Sequence, residues 1–124
     1  MLSNISDKID TEYYTPCGTY YLNEDKSITP CDIMKWSKQF ASMSDNNERH
    51  VGDDLIGDIR VSTVWLGADQ GGIDGKPLLF ETMVFPSKHS PRDIYYGRYS
   101  TWNEAVEGHK KAMQWVKDGC KDEI

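Results

Sequence analysis

Two runs of β-branched and aromatic residues dominate the hydrophobic pattern of this chain: IRVSTVWLG at residues 59–67 and PLLFETMVF at residues 77–85. Between them lies ADQGGIDGK, too rich in glycine and aspartate to continue a strand. The pattern predicts a β-hairpin whose loop is bounded by Gly67 and Pro77. In the second run Leu78, Phe80, Thr82 and Val84 alternate with Leu79, Glu81, Met83 and Phe85. Both sets are largely apolar, which predicts a central strand covered on both sides, or on one side plus a partner. In the first run Ile59, Val61, Thr63 and Trp65 alternate with Arg60, Ser62, Val64 and Leu66. If Arg60 and Glu81 share a face, they can pair across the hairpin.

Upstream, residues 18–22 (GTYYL) read as a short strand, turned by residues 23–26 into a brief return strand at Ser27 and Ile28. A helix start follows, with Thr29 as N-cap, Pro30 at the first helical position and Asp32 at N3. Ile33, Trp36 and Phe40, with Met34 and Ser37 beside them, form its apolar stripe, and residues 44–47 end it. Residues 46–58 are polar, acidic and broken by Gly52 and Gly57, so they read as a surface loop, with room for a short strand or edge segment at Leu55 and Ile56. Residues 86–93 hold two prolines and form a connection, and residues 93–100 (DIYYGRYS) follow as a strand antiparallel to PLLFETMVF. The last helix is the clearest element. Thr101 and Glu104 form a capping box, and Trp102, Ala105, Val106, His109, Ala112, Met113 and Val116 fall on one stripe. Gly119 supplies its stop. The order β-β-α-β-β-β-α predicts an α+β fold: an antiparallel sheet of about five strands with two packed helices. Residues 17–120 make one domain, and residues 1–16, which lack a periodic pattern, a flexible arm.

Composition agrees with one domain. The 124 residues are 38% hydrophobic and 11% aromatic, with four Trp and seven Tyr to fill a core. No apolar run is long enough for a membrane span, and residues 1–16 lack the pattern of a secretory signal, so a cytosolic protein is expected. Cys17, Cys31 and Cys120 are scattered and read as reduced thiols. The net charge of −6 is concentrated in residues 45–74, where seven acids face only Arg49 and Arg60. Such acidity disfavours direct nucleic-acid binding and suits a protein partner with a basic surface.

STVWLG (residues 62–67), PLLFETMVF (77–85) and RYSTWNEAVEGH (98–109) together resemble an uncharacterised family of small proteins encoded by bacteriophages and prophages. The resemblance covers residues 57–116 well and the first helix more loosely. It implies a phage origin and the cytoplasm of an infected bacterium, and implies no activity. Where the family pattern has Leu-Asp-His after the first block, this chain has Ala68, Asp69 and Gln70, so no histidine stands there for a metal or catalytic role.

Chemical candidates are few, and each has a plainer structural reading. His109 sits on the apolar stripe of the last helix, either as a general base or as a hydrogen-bonded core histidine. Arg60, Glu81 and Arg98 can form a row that holds a small anion, or a cross-strand charge ladder. Asp53, Asp54, Asp58, Asp69 and Asp74 can gather a cation, yet they match no EF-hand pattern and serve better as a protein-binding surface. Gly71, Gly72 and Gly75 lack the features of a phosphate loop. No cofactor or metal is expected. The leading expectation is a small accessory protein that binds a host or phage protein through its acids, for instance to inhibit a defence or nucleic-acid enzyme. A nucleotide-like ligand held on the hairpin face by Trp65, Arg60 and Arg98 is the alternative, and an enzyme pairing His109 with Glu81 the third.

Overall fold

The structure is a computed structural model that describes residues 18–73, 75–87 and 94–120. The proposed arm, Cys17 and Asp74 lie outside the described residues. The elements are β1 (Tyr20–Leu22), β2 (Ile28–Pro30), α1 (Ile33–Asp45), β3 (His50–Ile56), β4 (Ile59–Trp65), β5 (Phe80–Phe85), β6 (Ile94–Tyr99) and α2 (Trp102–Lys117). The fold is α+β, with one strand more than expected. The strands form two antiparallel sheets, β1-β2 and β3-β4-β5-β6, in place of a single sheet of five.

The hairpin expectation holds: β4 and β5 are the two central strands, and β6 runs antiparallel to β5. Their register separates the expected cross-hairpin pair. Arg60 lies opposite Phe85 and Glu81 opposite Val64, so each charge finds a partner on its other side. The added strand is β3, drawn from residues read as an acidic loop. It pairs with β4 from Ile56↔Ile59 at the turn to His50↔Val64, with a bulge between His50 and Gly52. An edge strand tolerates this composition because water and charged neighbours reach its side chains.

The start of α1 is corrected as well. Thr29 and Pro30 belong to β2, opposite Tyr21 and Tyr20, and the N-cap is Asp32, whose carboxylate accepts the Lys35 N–H at 2.8 Å. Ile33 and Met34, placed on the apolar stripe by spacing, are 52% and 65% exposed. The helix instead holds on through Trp36, whose indole N–H donates to the Leu66 carbonyl at 3.0 Å, and Gln39, whose amide brackets both backbone groups of Leu22. It ends as expected, and Asn47 takes the left-handed conformation (φ 57°) beyond the cap.

Helix α2 packs across all four strands of the larger sheet, whereas α1 lies beside β1. Its capping box is formed: Thr101 Oγ1 accepts the Glu104 N–H, and Glu104 accepts the Thr101 N–H, both at 3.1 Å. Gly119 (φ 88°) closes its other end, the Gly119 N–H donating to the Val116 carbonyl and the Cys120 N–H to that of Trp115. Beneath α2 lie two apolar clusters. Trp65, Phe80, Leu79, Ile28, Leu22 and Ala105 form the first, and Val61, Val84, Ala112 and Val116 the second. Half-buried Trp102 meets Phe80 edge-on at 6.1 Å. No helix among the described residues is long and apolar enough to cross a membrane.

Candidate functional site

Between the two clusters, α2 and three strands share a row of polar side chains. The sheet alternation turns Thr63 of β4 and Thr82 of β5 toward the helix, directly opposite one another, and their hydroxyls meet at 2.6 Å. His109 of α2 reaches down to this pair, Nδ1 lying 2.8 Å from Thr63 Oγ1. Its Nε2 lies 2.8 Å from Asp54 Oδ2 on β3. Gly52, two residues before Asp54, leaves room for the ring: a Cβ there would lie 2.6 Å from Nε2. A carboxylate only accepts, so Nε2–H donates to Asp54, and Nδ1 takes the Thr63 hydroxyl as its partner. Thr63 thus bridges His109 and Thr82. The two threonines are fully buried and His109 nearly so, while Asp54 is half exposed.

The row continues toward Tyr99 of β6. Its ring lies over Gly97 and under Gly108, where a Cβ would come 2.1 Å from the ring. The Tyr99 hydroxyl ends beside Thr82 without a well-formed hydrogen bond among the described residues. Burial pushes its pKa up, and Thr82 pulls it down less strongly.

The opposite face of the large sheet carries the remaining charges. Arg60 grips Asp53 with two nitrogens, at 2.7 and 3.2 Å, and lies 5.6 Å from the Phe85 ring centre. The Arg60 hydrogen bond holds Asp53 below the usual carboxylate range, and Asp53 in turn raises Arg60. Arg98 donates to Glu81 at 2.8 Å and sits 5.2 Å from the Tyr95 ring centre. Arg60, Glu81 and Arg98 thus share a face but divide into two separate ion pairs. Trp65 is fully buried on the other face, so it does not join the two arginines around a ligand. Glu81 likewise stands on the far side of the sheet from His109, and the carboxylate that meets His109 is Asp54.

The aspartates part company. Asp69 Oδ1 accepts the N–H groups of Gly71, Gly72 and Leu78 at 2.8–3.0 Å and organises the hairpin loop. Asp53 and Asp54 stand on β3, on opposite faces, and Asp58 lies in the turn that follows. Among the described residues no three His, Cys, Asp or Glu side chains converge as a metal site. Sequence reasoning missed Thr63, Thr82 and Gly52. The threonines were visible as two hydroxyls among inward-facing apolar positions, whereas nothing local marked Gly52. No protein-family model matches the chain, and no curated protein or solved structure matches it either.

Proposed function

We propose that this chain works by binding a protein with a basic surface, and that edge strand β3 with its following turn is the docking element. One observation carries the reading. Among the described strands, the segment that concentrates the acidity has only β4 beside it, so Asp53, Asp54 and Asp58 are presented along one edge of the large sheet, next to exposed Leu55. A basic partner is steered and oriented by such charge. The resemblance to phage-encoded proteins fits a partner from host or phage, an enzyme of defence or nucleic-acid metabolism being the natural target of an acidic competitor. The catalytic alternative loses support because Glu81 pairs with Arg98 on the face of the sheet opposite His109.

The test uses immobilised protein in bacterial lysate, beside a D53N/D54N/D58N variant whose fold is checked by circular dichroism. The reading predicts a partner retained by wild type, lost by the variant and released steeply by salt. Equal capture by both proteins, or binding indifferent to salt, overturns it.

A further inference from the structure

Among the described strands the large sheet has a second open edge, and it is built differently. β6 pairs only with β5 among the described strands. Where β3 shows two carboxylates to any approaching strand, the described residues of β6 contain none, and Ile94 and Tyr95 are 43% and 54% exposed. Carboxylates on an edge discourage strand addition; exposed apolar residues invite it.

The local geometry selects the incoming strand. Between β5 and β6 the register slips, Thr82 facing Gly97 and Met83 facing Tyr95, so β6 carries one extra residue. That extra residue places Tyr95 and Arg98, three apart in sequence, on the same face of the sheet. A second β6 laid antiparallel about an axis between Tyr96 and Gly97 sets Tyr95 opposite Arg98 of the other copy, twice. Ile94 then meets Tyr99, and the extra residue falls in matching intervals of both strands. Cation and aromatic ring are complementary across this pair, as they already are within one chain. The wall of α2 above this edge has the same property. Glu107 and Lys111, one turn apart and opposite in charge, line a cavity of about 570 Å³ along β6 with Gly97, Tyr99 and Gly108. A two-fold axis matches such a pair to itself.

We infer that β6 is the interface of a symmetric homodimer, in which two copies join their sheets into one of eight strands. The dimer leaves the acidic β3 edges at its two ends, so this inference stands apart from the function proposed above. Sedimentation velocity of the full chain, from micromolar to millimolar, tests it together with Y95R and Y95E, whose folds are checked by circular dichroism. Wild type dimerises with rising concentration. Y95R, which opposes Arg98 with a like charge at two places, weakens the dimer by about tenfold or more; Y95E, which offers Arg98 a carboxylate, keeps or tightens it. A wild type that stays monomeric overturns the inference, and so does a dimer on which the two variants act alike.

Discussion

Gly52 of β3 and His109 of α2 occupy one space: the ring nitrogen Nε2 stands 2.6 Å from where a Cβ at residue 52 would be. The close approach lets α2 sit low enough for His109 to touch Asp54 on one side and Thr63 on the other. Gly52→Ala therefore lifts the helix or turns the ring out of the row. We expect a loss of about 1–3 kcal/mol, as for overpacking elsewhere, measured by urea titration. A shift of the His109 ring signals in NMR should accompany it. Unchanged stability would mean that the ring has room to move.

Thr63→Val keeps the shape of the side chain and removes the hydroxyl. His109 Nδ1 and the Thr82 hydroxyl then lose a partner in a buried site, at about 1–3 kcal/mol. Thr63→Ser should recover most of that stability. Equal losses for Val and Ser would trace the effect to packing instead of the hydrogen bonds.

Gly108→Ala reverses a helix rule. Alanine is favoured over glycine inside a helix by about 1 kcal/mol, yet here its methyl group meets the Tyr99 ring. We expect a net drop in melting temperature, and recovery when Tyr99→Leu is added, because the smaller side chain vacates the slot. A more stable G108A protein would show that propensity wins.

Acid stability should depend on Asp53. The Arg60 hydrogen bond lowers its pKa in the folded chain beneath the ordinary value of 3.8. The folded protein therefore binds fewer protons than the unfolded one in this range. The contribution is present above pH 3.8 and is lost as the pH falls through the folded value. Asp53→Asn should flatten the decline of stability below about pH 4 in denaturant titrations. An identical acid limb in the two proteins would remove Asp53 from the account.

Asp69 is a loop organiser in spite of its place in the acidic segment. Asp69→Ala strips three backbone N–H groups of their acceptor. Hydrogen exchange at Gly71, Gly72 and Leu78 should accelerate together, while amides of β4 and β5 change little. Acceleration spread evenly through the sheet would point to global destabilisation.

Helix α2 and the hairpin were legible from the residues alone because their signals are local. A capping box, a stripe at helical spacing and two apolar runs around a glycine-rich loop act over a few residues, and the buried position of His109 followed from the same stripe. The start of α1 misled because Thr29 and Pro30 carry a valid cap signal, which pairing with Tyr20 and Tyr21 outweighs. Strand β3 was hidden for a different reason. Its aspartates favour a loop until Arg60 and His109 give them hydrogen-bond partners, and His109 stands 55 residues from Asp54 in the chain. Register also belongs to the tertiary structure. Only the pairing of β4 with β5, and of β5 with β6, decided that Arg60 and Glu81 part, that Trp65 turns inward, and that Thr63 meets Thr82. Local propensity thus determined the elements with strong boundaries, while long-range pairing of charges and hydroxyls decided which polar residues share a site.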